Sequence, residues 1–442
     1  MNSLSGSNQG SKDMADRLLT IKSTFTFICT WILISGLLYI KIPTAFTKIY
    51  AEDGAISLQD ALGKSFPHDF LAPYAGYLDV IGRSAGRIVS IFPLESAAHA
   101  FFLFNTLMLT WIALTVYRAS SEIVPNRISR SVLSFSLVLL PIASFESLAN
   151  TTNLHFFFMS ACLPIFLRRN SSRYETYLFS FFVLIATLST PLMIFYFPLI
   201  AYLRWSSKIS KWFAKLSLIE FAWLTGMLLQ VVFILTRAFG DRTTTGVHSI
   251  AKTGFLYLDR VVGSTFFPGW GNVSDSTPSI APNLFSAKIY LLLRGMVALV
   301  LLALFILYIL RATTRNPQAR FLAASVLSTG FFYWFVVGVL FNPEPRYAIF
   351  PSFGLLLVLF YMHGASSESL GFKLRQRVII LLILLTWMGS WSPSALRVNG
   401  PTWAAEYKKA QATCLTGVRE VQIPIIPTNL EWHVVIDCKK VR

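Results

Sequence analysis

Two adjacent carboxylates, Glu52 and Asp53, followed by Gly54, lie just beyond the first long apolar run of the chain. Carboxylates at a membrane surface can take a proton from a nucleophile, hold a divalent metal ion, or face water. They stand out because the 442-residue chain carries only 21 acidic residues against 38 basic ones. Gly54 adds a point where backbone or a ligand can approach closely. Further on, Asp79, Arg83 and Arg87 recur every four residues, which places them on one helix face and favours Asp79–Arg83 pairing. A guanidinium matches phosphate oxygens in pairs, so Arg83 and Arg87 can hold a phosphate at headgroup level, or simply snorkel or pair.

Two more clusters have side chains suited to a site. The turn Glu146-Ser147-Leu148-Ala149-Asn150-Thr151-Thr152-Asn153-Leu154-His155 concentrates polar groups between two apolar runs. Arg346 follows Pro345 in the tight turn Asn342-Pro343-Glu344-Pro345-Arg346. Glu52, Asp53 and His155 could hold a divalent cation such as Mg2+ or Mn2+, although they lack a tight ligand spacing. No Walker loop, dinucleotide fingerprint, HExxH or nucleophile elbow occurs.

These residues are set among helices. The chain is 54% hydrophobic and 13% charged, with mean hydropathy +0.58, whereas a soluble domain carries roughly a quarter charged residues. Repeated apolar runs of roughly 20 residues make it an all-α polytopic membrane protein with about eleven transmembrane helices. The net charge of +17 is spread between apolar runs rather than in a basic block, which argues against nucleic acid. Basic residues such as Arg118, Arg168, Lys211, Arg315 and Arg375 assign the inner loops, and most acids fall outside. On this topology residues 1–23 are a cytoplasmic N-terminal tail and 24–392 the transmembrane domain. The segments 41–95 and 236–287 are external loops, the second rich in Gly, Ser, Thr, Pro and aromatics. Residues 177–203, interrupted by Ser189-Thr190-Pro191, form two thin spans or a re-entrant hairpin.

From Tyr74 to Phe92 apolar residues recur at helical spacing, which predicts an amphipathic helix in the outer membrane interface. Residues 393–442 form an extracytoplasmic tail. In it Cys414 and Cys438 flank the alternating runs Val421–Ile426 and Trp432–Ile436, which read as strands. So short a hairpin has little core, and a Cys414–Cys438 disulfide would help it persist.

An acidic pair in the first external loop followed by an amphipathic juxtamembrane helix resembles the multispanning glycosyltransferases of the GT-C type. Glu52-Asp53-Gly54 with Pro73-Tyr74-Ala75-Gly76-Tyr77-Leu78, Arg83, Asn153-Leu154-His155 and the paired cysteines is similar, more narrowly, to a bacterial envelope group of this architecture. Phe156 stands where that group often has a tryptophan, and the tail is smaller than the external domains of many such transferases. The resemblance implies an inverting hexosyl or pentosyl transfer from a polyprenyl-phosphate sugar to an envelope glycan or lipid, on the outer side of the bacterial inner membrane. It implies that the acidic pair serves catalysis. From its position at the outer end of the first helix we expect Asp53 to be the base, with Glu52 orienting it or binding a metal. We expect Arg83, Arg87, Arg346, His155, Asn153, Tyr74 and Tyr77 around the substrate, with Arg83 and Arg346, both at the outer face without a topological reason, gripping the donor phosphate from opposite sides of one cavity. An O-antigen-type polymerase or ligase is the nearest alternative. A proton-coupled transporter or flippase predicts charges at mid-span, whereas here nearly all sit at helix ends.

Overall fold

A backbone in hydrocarbon has to satisfy its own hydrogen bonds, and this chain does so with helices almost throughout. The computed structural model describes residues 7–144, 146–206, 216–236, 249–266, 284–313, 316–341, 344–365, 370–389 and 398–441. Asn342, Pro343, Lys208, Lys211, Lys215, Arg315 and the Trp270 region of the second external loop lie outside these residues.

The bundle begins with α1 (Ser7–Lys41), α2 (Val80–Val89), α3 (Ala97–Ala119), α4 (Arg127–Leu139) and α5 (Leu154–Leu167). It continues with α6 (Arg173–Ser189), α7 (Phe197–Ser206), α8 (Leu218–Thr236) and, after a short helical segment at 250–266, α9 (Leu284–Ala312). Helices α10 (Pro317–Phe341), α11 (Ile349–Ala365) and α12 (Leu370–Gly389) complete it. The chain is membrane-embedded: among the described residues six stretches are long and apolar enough to cross. They are Ser23–Lys41, Leu94–Ala119, Leu218–Thr236, Leu292–Arg311, Pro317–Phe341 and Pro345–Met362.

That count corrects the expectation of about eleven crossings. The remaining expected stretches are helical but do not qualify. Helices α4 and α5 hold 13 and 14 residues, which at about 1.5 Å per residue reach only some 20 Å, against roughly 30 Å of hydrocarbon. Helix α12 is longer, but Lys373, Arg375 and Arg377 occupy its first half. The 177–203 stretch is α6, a 3-10 turn at Pro191–Tyr196 and α7. Thr190 before the proline is extended and its hydroxyl accepts from the Leu192 amide at 3.3 Å. Ile32, Leu228 and Leu307 are more than half exposed, as lipid-facing residues are. Helix α5 is buried almost all round, in keeping with its uniformly apolar sequence.

Charges inside the bundle end helices or pair. Lys41 is fully buried and donates to the carbonyls of Val138 and Leu140 at 2.7 and 2.9 Å, at the C-terminal end of α4 where carbonyls lack helical partners. Arg204 makes a two-pronged bond to Glu220 at 2.8 and 2.7 Å, joining α7 to α8. Arg294 meets Asp259 at 2.8 Å, both buried.

The tail folds as α13 (Trp403–Leu415) and an antiparallel pair, β1 (Glu420–Pro424) and β2 (His433–Asp437), with Glu420 opposite Asp437 and Pro424 opposite His433. Cys414 and Cys438 are disulfide-bonded, tying the end of α13 to the residue after β2. The tail lies against the first loop. The Trp403 amide donates to the Thr47 carbonyl at 2.9 Å, and its indole donates to the Leu94 carbonyl at 2.6 Å.

The juxtamembrane helix is shorter than its sequence period suggests. Tyr74-Ala75-Gly76-Tyr77 is a tight turn in which the two tyrosines exchange backbone bonds at 2.8 and 3.0 Å. Ala75 and Gly76 both have positive φ, 48° and 85°, as a two-residue hairpin turn demands. Helix α2 begins only at Val80, and most of its residues are buried rather than laid on a surface.

A candidate active-site cavity

The acidic pair is positioned by backbone pairing with the tail. Tyr50 and Ile426 form a parallel bridge, and the Ala51 amide donates to the Ile426 carbonyl at 2.6 Å. Ala51 has φ 33°, left-handed backbone that an L-residue adopts only under constraint. Asp53 then opens a π-helix, Asp53–Leu58, a form of helix frequent at functional sites. A Cβ on Gly54 would meet Ile425 Cδ1 at 2.6 Å and Val434 Cγ2 at 3.0 Å. The close approach that Gly54 permits is therefore with the tail.

Helix α2 packs closely on this π-helix at Gly86, while Gly82, one turn earlier, leaves room for the Asp79 side chain, whose Oδ2 a Cβ there would meet at 2.3 Å. A Cβ on Gly86 would lie 2.1 Å from the Ser57 carbonyl oxygen. Asp79 caps α2, accepting from the Gly82 amide at 3.1 Å. Arg83 is 4% exposed; it pairs with Asp60, not Asp79, and donates to the carbonyls of Ile56 and Pro73 at 3.2 and 3.1 Å. It binds the π-helix, α2 and the Pro73 loop into one unit.

The second polar turn meets the acids. Asp53, 2% exposed, accepts from the Thr151 amide at 2.8 Å and from the Thr151 hydroxyl through the same oxygen. Glu52, half-buried, accepts from the Asn150 amide group at 3.2 Å. The turn ends at Asn153, where α5 begins. His155 Nδ1 bonds the Thr152 carbonyl at 2.6 Å. A carbonyl only accepts, so Nδ1 carries a hydrogen and donates it there.

Beside this turn lies a cavity of about 310 Å³. Tyr74, Asn153, His155 and Arg346 give it polar groups, and Leu192, Ile234, Val337 and Phe341 give it apolar ones. The Asn153 side-chain nitrogen is buried with no partner among the described residues, as is the Tyr333 hydroxyl. Arg346 pairs with Glu146 at 3.1 Å and with Glu344. Burial, and then the Glu52 charge, push the Tyr74 phenol well above its ordinary range, so Glu52 acts electrostatically on the cavity wall.

Of the residues singled out in the sequence, Tyr74, Tyr77, Asn153, His155 and Arg346 line this cavity. Glu52 and Asp53 do not line it; they bond Asn150 and Thr151 in the turn that leads to Asn153 and His155 of its lining. Arg83 does not line it, so Arg83 and Arg346 do not face each other across one space. Arg87 lies elsewhere, 3.6 Å from Asp69. Among the described residues no group of three or more His, Cys, Asp or Glu side chains is placed to hold a metal ion. The sequence singled out the turn that holds Asn150 and Thr151 but not their bonds to the two acids, and it offered Asp79 as a partner of Arg83 rather than as the buried cap of α2. The Gly82-x-x-x-Gly86 spacing was the available sign of close packing on α2. Comparison with protein-family models, curated proteins and solved structures yields no match for this chain.

Proposed function

We propose that the chain is a membrane glycosyltransferase that moves a sugar from a polyprenyl-phosphate donor to a cell-envelope glycan or lipid acceptor. The observation that carries this reading is the convergence of Tyr74, Tyr77, Asn153, His155 and Arg346, from three distant stretches, on one cavity with apolar residues beside them. A ligand with a polar head and a hydrocarbon chain suits such walls. Aromatic faces such as Tyr74 and Tyr77 suit a sugar ring.

In this reading a carboxylate takes the proton of the acceptor hydroxyl, and that oxygen bonds to the anomeric carbon as the carbon–oxygen bond to the phosphate breaks. Polyprenyl phosphate leaves, its charge met by Arg346. Glu344 is the more exposed of the two Arg346 partners, at 32% against 17% for Glu146, and is the one a phosphate displaces. We assign the base to Glu52 rather than Asp53. What supports the exchange of roles is exposure: Asp53 is 2% exposed with one oxygen accepting two hydrogen bonds from Thr151, whereas Glu52 is half-buried and its charge acts on Tyr74 of the cavity lining. Asp53 then positions the Thr151 turn. The cavity and tail face the extracytoplasmic side of a bacterial inner membrane, with the N terminus cytoplasmic, in line with the basic residues Arg118 and Arg168 near the other ends of α3 and α5.

Purified protein in nanodiscs, given polyprenyl-phosphate sugars with a radiolabelled sugar and envelope lipid acceptors, should retain donor and transfer label. Absence of donor retention across hexosyl and pentosyl donors would count against the proposal.

A further inference from the structure

Past the end of α2 a second, wider groove opens, independent of the cavity above. Its walls come from Arg87 and the stretch 90–95, from Ala61 and Leu62, and from Tyr407, Gln411, Lys440 and Val441 of the tail. Arg87 donates to the Ala61 carbonyl at 3.4 Å, and Lys440 donates to the carbonyl of the next residue, Leu62. Two cations resting on consecutive carbonyls are held side by side. Like charges so placed repel, and an anion between them relieves the repulsion. Asp69, 3.6 Å from Arg87, offsets part of the charge, and Glu95 on the far rim faces Lys408 at 4.0 Å. Arg87 nevertheless remains 39% exposed, and Lys440 is exposed.

The same groove carries bare hydrocarbon. Ile91 is 77% exposed and Phe92 46%, with Ile88 on the preceding turn at 44%. They precede Leu94, where a stretch long and apolar enough to cross a membrane begins. Cations beside exposed apolar side chains at such a boundary match a lipid with a charged head, not a soluble anion.

We propose that this groove binds an anionic phospholipid of the surrounding bilayer, its phosphate between Arg87 and Lys440 and its chains over Ile91 and Phe92. The lipid would seat the tail on the bundle, since Lys440 belongs to one and Arg87 to the other.

The test is retention of lipid by the purified full-length protein in detergent, with phosphatidylglycerol or phosphatidylcholine added and bound lipid counted by native mass spectrometry. Phosphatidylglycerol should be retained several-fold over phosphatidylcholine. Arg87→Gln with Lys440→Gln should cut that retention by about fivefold or more. Should the double variant fail to fold, Lys440→Glu, at an exposed position, should produce the loss alone. Equal retention of the two lipids, or undiminished retention by Lys440→Glu, would overturn the proposal. So would an equal thermal stabilisation by inorganic phosphate, which would make the groove a small-anion site.

Discussion

The Ala51 amide is bonded to the Ile426 carbonyl at 2.6 Å, which joins the residue before Glu52 directly to the tail. The Ile426 amide returns a bond to the Ile49 carbonyl at 3.2 Å, so the first loop gains a short added strand from the C-terminal end of the chain. Left-handed backbone at Ala51 costs of order 1–3 kcal/mol and persists only where its surroundings hold it. The tail supplies that hold, which makes it part of the site although none of its side chains lines the cavity.

Cutting the tail's staple should therefore be felt at the acidic pair. Cys414 and Cys438 are 24 residues apart, a loop whose closure is worth about 3 kcal/mol. Replacing both by serine should lower the melting temperature and speed hydrogen exchange at the Tyr50, Ala51 and Asp53 amides. Unchanged exchange there would show that the bridge stabilises only the hairpin.

Arg83 and Arg346 should separate cleanly on mutation. Arg83→Ala leaves Asp60 with Lys64 as its remaining partner and two carbonyls without a donor, and should cost about 1–3 kcal/mol of stability. The fraction that stays folded should bind donor as the parent does. Arg346→Ala should weaken donor binding, and Arg346→Lys should restore it only in part, because an ammonium lacks the paired donors of a guanidinium. Melting curves with titration of a labelled donor distinguish the two.

Asn153 offers the reverse combination. Its side chain makes no capping bond to α5, and its buried nitrogen lacks a partner among the described residues. Asn153→Ala should leave the melting temperature unchanged or slightly raised, while donor affinity falls roughly tenfold. A loss of stability without a loss of affinity would remove Asn153 from the site.

Asp79 should give the protein a pH-dependent stability. Burial pushes its carboxyl from 3.8 to about 7, with the nearby Asp53 adding to the shift and the Gly82 amide and Arg83 opposing it. A folded-state pKa above the unfolded one means that the folded protein holds the extra proton. The stability this provides is complete below about pH 4 and is lost as pH rises through about 7. Asp79→Asn keeps the cap and removes the titration, so melting temperatures compared from pH 4.5 to 8 should show the parent losing stability relative to the variant.

Much of the fold was readable where a local signal existed. Apolar runs marked the helices, Pro191 marked the break before α7, and alternation around Cys414 and Cys438 marked β1 and β2. Crossing number was not readable, because uniform apolarity from Leu154 to Leu167 does not distinguish a short buried helix from a span. The start of α2 was missed because the Tyr74–Leu78 residues match a helical period yet contain Ala75-Gly76 in a hairpin turn. Arg83 looked available for a ligand because its true partner, Asp60, lies 23 residues away with no periodic link. The union of tail and acidic pair uses backbone groups at Ala51 and Ile426, and backbone pairing leaves no mark in side-chain sequence.

The most direct test of the proposed chemistry is transfer by Glu52→Gln beside the parent protein, at saturating lipid-linked donor and acceptor in nanodiscs. The substitution keeps the side-chain oxygen that can accept from Asn150 and removes the basic carboxylate. Transfer should fall roughly 10²- to 10⁴-fold while donor affinity and melting temperature stay near those of the parent. Near-normal transfer by folded Glu52→Gln protein would contradict the assignment of Glu52 as the base.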